Sequence, residues 1–263
     1  MGARFKSFSS GSCGNAYYLG TEDGAVLIDA GVSLRRLKKE LEREGLGLDS
    51  FSAVLVTHDH MDHIRSLGSY CKRLHVPVWA TPTLMDKMSR RSLTGEYLAD
   101  VRNELADGWN EIIPGVISVR FFIVPHDASQ TVGFAIMLGG LRYVHITDCG
   151  RMTREALDWC RQADAVTIES NYDPAMLASG PYPLELQERI RNGNGHLSNG
   201  ECAEAIRCFL HPGLKNIFLC HLSEHNNTPL LALETSRAVL AGCENGPRLV
   251  ALPRQTPSLM FNL

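Results

Sequence analysis

The stretch Thr57-His58-Asp59-His60-Met61-Asp62-His63 follows directly on Ala53-Val54-Leu55-Val56. An unbroken apolar run of this length is the mark of a strand buried on both faces, which belongs to an α/β sheet covered by helices. At its end the chain sets His58, His60, Asp62 and His63 within six residues. Imidazole and carboxylate together suit zinc, manganese or iron. Four such side chains from one tight loop do not easily reach a single ion. His58 with His60, and Asp62 with His63, fit two adjacent ions, and each ion then needs further ligands from distant sequence.

Moving outward, metal-binding residue types recur where other apolar runs stop. Asp29 follows Ala25–Ile28, His126 follows the alternating segment Val116–Val124, and Asp148 follows Leu141–Ile146. Glu169 follows Ala165–Ile168, and His221 follows Asn216–Leu219. Strand ends are where α/β proteins gather ligands. A carboxylate such as Asp148 can bridge two cations through its two oxygens, whereas an imidazole cannot.

The remaining pattern places these motifs. Arg4–Phe8 and Ala16–Gly20 read as strands joined by the serine- and glycine-rich loop Ser9–Asn15. Ser33 reads as the N-cap of a helix that stops near Gly45. One helix is expected from the histidine cluster to about Leu74, then a strand over Val76–Ala80 and irregular helix over Pro82–Leu105. Gly139-Gly140 suits the turn of a hairpin, Val132–Leu138 with Leu141–Ile146. Helices are expected over Thr153–Ala163, Pro183–Ile190, Asn199–Leu210 and Pro229–Leu240, with a last strand near Leu249–Leu252. This order predicts two sheets sandwiched between helices in one domain spanning residues 1–263.

Composition narrows the class. With 44% apolar and 21% charged residues, 263 residues can bury a core without staples, which excludes disordered and disulfide-miniprotein classes. A net charge of −3 argues against a whole-surface electrostatic attraction to nucleic acid and leaves room only for a local basic groove. No stretch approaches the ~20 apolar residues of a membrane span, so no membrane partner is expected. Arg4 and Lys6 are followed by no apolar signal region. The eight cysteines are scattered without a CxxC pair, as buried free thiols of a reducing compartment would be. A cytoplasmic protein is therefore expected. No GxGxxG after a strand and no P-loop is present, so no nucleotide cofactor is implied.

The histidine cluster resembles the HxHxDH motif of the metallo-β-lactamase superfamily, and Asp29, His126, Asp148 and His221 follow that superfamily's remaining motifs in order. The resemblance covers nearly the whole chain. It implies an α/β fold, the four-layer αβ/βα sandwich, with a dinuclear site at one edge of the two sheets. It implies that His58, His60 and His126 hold one divalent ion and Asp62, His63 and His221 another. Asp148 would bridge the two, and Asp29 would hold the HxHxDH loop in shape. Zinc or manganese, with iron as a further option, would be the metals. Two such ions can share a hydroxide and clamp attacking and developing oxygens, which serves hydrolysis of β-lactams, thioesters or phosphodiesters.

Further stretches are similar to the YycJ/WalJ-like branch: Ser9-Ser10-Gly11-Ser12-Cys13-Gly14-Asn15, Ile168-Glu169-Ser170-Asn171-Tyr172-Asp173, Gly195-His196-Leu197-Ser198-Asn199 and His221-Leu222-Ser223-Glu224-His225-Asn226-Asn227. Cys13 stands where that branch usually has serine. Glu169 and His196 occupy the order of motifs in the related β-CASP nucleases, but 52 residues between Glu169 and His221 are too few for their full cap domain. The branch implies a 5′–3′ exonuclease acting on DNA. Asp62, Asp148, His196 and Glu169 are then the expected catalytic set, with His196 at the scissile phosphate and Glu169 fixing its tautomer. Ser10, Ser12, Asn15, Ser198, Asn226 and Asn227 are expected to donate hydrogen bonds to phosphate. Gly193 and Gly195 are expected to let the His196 loop approach a bound backbone. Lys87, Arg90, Arg91 and Arg102 are the candidate backbone-tracking patch. A small-molecule phosphodiesterase, a glyoxalase-II-like thioesterase and a metal-stabilised scaffold are the rival readings.

Overall fold

The computed structural model describes residues 2–92, 94–243 and 245–263. Met1, Leu93 (within the expected irregular helix) and Glu244 lie outside the described residues. The strands are β1 (Arg4–Gly11), β2 (Gly14–Gly20), β3 (Ala25–Ile28), β4 (Ala53–Leu55), β5 (Val78–Ala80), β6 (Arg102–Glu104), β7 (Asn110–Ile113), β8 (Ile117–Ile123), β9 (Val132–Leu138), β10 (Leu141–Ile146), β11 (Ala165–Glu169), β12 (Asn216–Cys220), β13 (Arg248–Ala251) and β14 (Phe261–Asn262). The helices are α1 (Leu34–Glu42), α2 (Met61–Ile64), α3 (Leu67–Leu74), α4 (Pro82–Ser89), α5 (Gly95–Leu98), α6 (Arg154–Cys160), α7 (Pro174–Ser179), α8 (Leu184–Arg191), α9 (Asn199–Phe209) and α10 (Pro229–Leu240).

Two seven-stranded sheets result, ordered β14-β1-β2-β3-β4-β5-β6 and β13-β12-β11-β10-β9-β8-β7. Each is antiparallel on one side and parallel on the other. In the first, β3, β4, β5 and β6 run parallel. In the second, β10, β11, β12 and β13 do.

The period of two along each strand explains the layering. In β3, Val26 and Ile28 pack between the sheets against Phe134, Ile136 and Phe218, while Leu27 packs outward with Leu37 and Leu41 of α1. In the second sheet, Val144, Ile146, Val166 and Ile168 turn outward to Ala156 of α6 and Ile206 and Phe209 of α9. Helices cover both outer faces, which makes the expected four-layer αβ/βα sandwich and explains the unbroken apolar run at β4.

Several local expectations need correction. The serine-rich stretch is mostly strand: β1 runs to Gly11, and the turn holds only Ser12 and Cys13. Its hydroxyls are satisfied inside the fold, Ser9 Oγ donating to Arg254 O at 2.7 Å and Ser10 Oγ meeting Tyr17 Oη at 2.9 Å. The single helix expected up to Leu74 is two, α2 and α3, because Ser66 N donates to Ala30 O instead of continuing the first. The expected irregular helix ends before β6, a polar strand at the sheet edge. The edge strands β7 and β14 and the short helix α7 carry no apolar period to announce them.

Candidate metal centre

The site lies where parallel strands of both sheets end. Asp29 and His221 directly follow β3 and β12, and Asp148 follows β10 one residue on, after Thr147. Each has a left-handed backbone, with φ of 63°, 48° and 52°. Non-glycine residues rarely adopt this conformation, which clusters at functional sites and costs of order 1–3 kcal/mol each. These turns swing the three side chains off their strands toward the gap between the sheets.

Asp29 organises the histidine loop. Its Oδ1 accepts from Thr57 N at 2.9 Å, and its Oδ2 accepts from Thr57 Oγ1 at 2.8 Å and from His63 Nδ1 at 2.7 Å. With Nδ1 committed, His63 Nε2 points inward, 3.2 Å from Asp148 Oδ2 and 3.5 Å from Asp62 Oδ2. His126 is fixed the same way: Nδ1 donates to Gly195 O at 2.7 Å, and Nε2 stands 3.4 Å from His60 Nδ1. His58 and His221 are buried, and the Nε2 of each has no well-formed hydrogen bond among the described residues, Asp62 Oδ2 standing 3.5 Å from that of His221. An orphaned buried nitrogen is costly unless something else engages it.

The donors fall into overlapping groups whose ligand atoms lie within 4.8 Å of one another: His58, His60 and His126; Asp62, His63 and His221; and His58, His63 and Asp148. A fourth joins Asp148, Glu169, His196 and His221. The donor set and the orphaned nitrogens fit divalent cations. Electrostatics agree. Burial pulls His63 down, but Asp29, Asp148 and Asp62 outweigh it and push it up to about 10. His221 is likewise held well above its ordinary value against burial, chiefly by Asp148 and by its contacts with Asp62 and Glu169. His58 is driven well below by burial and the neighbouring His63. Burial alone would raise Asp148, yet His221, His63 and His58 hold it well below the usual carboxylate range.

Glu169 sits behind the site, fully buried. Its Oε2 accepts from Cys149 N at 2.9 Å and Leu197 N at 3.1 Å, and its Oε1 faces His196 Nδ1 at 2.7 Å and His221 Nδ1 at 3.1 Å. It therefore orients two imidazoles and presents no free oxygen to a substrate, so its place is that of a positioning residue. His196, with Nδ1 committed to Glu169, lines a cleft of about 270 Å³ with His60, Asp62, His126, Asp148 and His221.

Of the residues expected to contact phosphate, Ser12 alone lines the cleft. Ser10 is buried and its Oγ accepts from His221 N at 2.9 Å. Asn15 donates through Nδ2 to Gly11 O and Asp62 Oδ2 and faces His63 Nε2 at 2.8 Å, so it braces the site from within. Ser198 caps α9 in a reciprocal box with Glu201. Asn227 Nδ2 donates to Ser170 O and Asn171 O, and Asn226 is buried beside Ser223. Apart from Asn226, whose buried Oδ1 has no partner among the described residues, these amides and hydroxyls are consumed by the fold. Gly195 also answers to the chain itself: a Cβ there would lie 2.2 Å from Ile190 O. The expected basic patch is largely neutralised, with Arg90 paired to Asp86, Arg91 to Asp59 and Arg102 to Glu104. Asn171, Ser223 and Glu224, which lie in branch-like stretches, also line the cleft with no role assigned from sequence, as do Asp127, Tyr182 and Arg189. Asp127 was legible as the neighbour of His126 and Arg189 lies in the expected helix Pro183–Ile190, while Tyr182 precedes that helix with no signal of its own.

Residues 25–221 match the family described as the beta-lactamase superfamily domain. The chain thus belongs to the metallo-β-lactamase superfamily and is a metal-dependent hydrolase. Among its relatives, the exodeoxyribonuclease YycJ of Bacillus anthracis is 33% identical over 240 residues, 91% of this chain and 90% of that protein. The exodeoxyribonuclease WalJ of Streptococcus pneumoniae is 31% identical over 246 residues, 94% and 91% of the two chains. The crystal structure of the metallo-β-lactamase fold protein YhfI from Bacillus subtilis superposes with a TM-score of 0.71 at 14% identity, covering 99% of this chain and 100% of that one, a likeness of fold.

Proposed function

We propose that this protein is a cytoplasmic dinuclear exonuclease that hydrolyses phosphodiester bonds of DNA from the 5′ end. The observation that carries the reading is the junction at Asp148. Its Oδ2 lies 3.2 Å from His63 Nε2 and its Oδ1 lies 3.5 Å from His126 Nε2, so one carboxylate stands between the two imidazole groups. In this reading His58, His60 and His126 hold one ion, Asp62, His63 and His221 hold the other, and Asp148 is shared. The relatives YycJ and WalJ, named as exodeoxyribonucleases, support DNA as the substrate. All eight cysteines are free, in keeping with a reducing compartment, and among the described residues no helix is long and apolar enough to cross a membrane.

Two bound divalent ions would supply Lewis acidity and an ionised water at neutral pH. The chain's own residues do the rest. Asp29 and the Gly195 carbonyl fix the His63 and His126 tautomers. Glu169 holds His196 through Nδ1, so Nε2 faces the cleft, where it donates to a non-bridging phosphoryl oxygen or to the leaving sugar oxygen. Ser12 at the β1–β2 turn offers a hydroxyl to the strand. End-labelled single- and double-stranded DNA and RNA, with a small phosphodiester and a thioester alongside, test the reading. Progressive shortening of DNA from its 5′ end supports it, and turnover of the thioester alone refutes it.

A further inference from the structure

Between Glu169 and His196 the chain makes an excursion containing α7 and α8. Its apolar side chains pack chiefly on one another. Tyr172, Leu177 and Ile190, with Tyr182 and Leu186 against them, form a cluster separate from the three larger cores. Tyr182, Leu186 and Ile190 also line the cleft, so an apolar wall from this one excursion meets the imidazoles and carboxylates of the site. The Tyr182 ring meets His225 edge-on, with ring centroids 5.9 Å apart, and the Tyr182 backbone is tied by Gln187 Nε2, which donates to its carbonyl at 2.9 Å. At the same wall Arg189 is anchored through Nε to Asp127 Oδ2 and lines the cleft as well.

The cavity, about 270 Å³, lies below the roughly 300–1,000 Å³ common for drug-sized ligands. That size suits one flat heterocycle with its sugar. An aromatic ring, a guanidinium and a hydrolytic centre lining one narrow cleft match a ligand that carries a π-face and an anion in a single unit. We propose that Tyr182 forms a nucleobase-stacking subsite that takes the base of an unpaired terminal nucleotide. The inference rests on the reading that this cleft cuts nucleic acid. Every base has a π-face, so the subsite selects single-stranded ends with little regard to sequence.

The test compares single-stranded DNA whose terminal nucleotide carries its base with the same strand made abasic at that position, using wild-type, Tyr182→Ala, Tyr182→Leu and Tyr182→Phe proteins. In wild-type protein, removing the base lowers kcat/KM about 10-fold or more, in line with the usual worth of one aromatic stack. Tyr182→Ala loses as much on the intact strand and loses nothing further on the abasic one. Tyr182→Leu, which keeps the apolar cluster filled, behaves like Tyr182→Ala, and Tyr182→Phe behaves like wild type. Additive losses, an unaffected Tyr182→Leu, or a wild-type enzyme indifferent to the terminal base would overturn the inference. Absence of hydrolysis of any oligonucleotide by the wild-type protein would instead overturn the nuclease reading beneath it.

Discussion

Asp148 carries the account at the scale of single residues. Asparagine tolerates the left-handed backbone found there, φ 48°, nearly as well as aspartate does. Asp148→Asn should therefore fold while losing the negative charge that faces His63, His126 and His221. Turnover should fall by at least ~10²-fold while the variant still folds, with some loss of metal-free stability because His63 and His221 lose a counter-charge; normal turnover with full metal content would remove Asp148 from its bridging role. His196 and His221 separate in the same way. His196→Ala should leave metal content intact and slow single-turnover cleavage by ~10²–10⁴-fold, whereas His221→Ala should lose one ion as well. Equal metal loss in both variants would make His196 a ligand, as the group Asp148, Glu169, His196 and His221 allows. A different histidine, away from the site, adds to the loss of stability in acid. His145 lies fully buried beside Tyr17, and burial pushes it down to about 3. Between about pH 6.5 and 3 the unfolded imidazole binds a proton that the folded one refuses, so stability falls as pH falls through that window, by up to about 1.4 kcal/mol per pH unit. His145→Phe should flatten this dependence in melts from pH 6.5 to 4; Tyr143 Oη keeps its 2.6 Å contact with Thr167 Oγ1. An unchanged slope would mean that other groups govern acid unfolding.

Among the elements, the histidine loop depends on glycine in the segment after β3. A Cβ on Gly31 would stand 1.7 Å from Asp62 O and 2.5 Å from Asn15 N, backbone atoms with nowhere to go. Gly31→Ala should displace the loop that bears Asp62 and His63, with loss of bound metal and activity. Gly45→Ala is the contrast. Its φ is 71° but nothing lies within 4 Å, so the expected cost is only about 1–2 kcal/mol of stability with metal content unchanged. Metal analysis and denaturant melts of the pair check both. What the sequence disclosed about the elements follows the same physics. β3, β4, β11 and β12 are buried on both faces, so their apolar runs were readable, and their ends marked Asp29, the histidine loop, Glu169 and His221. Ser9 and Ser10 read as loop because composition cannot reveal that their buried hydroxyls find partners at Arg254 and Tyr17. Ser10, Ser198 and Asn227 were chosen as phosphate donors on residue type alone, and only the fold shows their hydrogen-bonding capacity already spent.

For the whole molecule, the site joins the two sheets. Asp29 and the histidine loop come from the first, and Asp148, Glu169 and His221 from the second. Ions binding across that junction stabilise the folded state by mass action, about 2.7 kcal/mol for each site at a hundredfold excess over Kd. Chelation should accordingly lower the melting temperature by several degrees, reversibly. The central claim is a shared two-ion centre acting on nucleic acid. Its most direct test is single-turnover cleavage of end-labelled single-stranded DNA, measured as zinc or manganese is titrated into the metal-free protein, with bound metal counted in the same samples. The account predicts that cleavage rises to its plateau only as the second ion per chain binds, and that Asp148→Asn never reaches that plateau. Full turnover at a reproducible one ion per chain would contradict it.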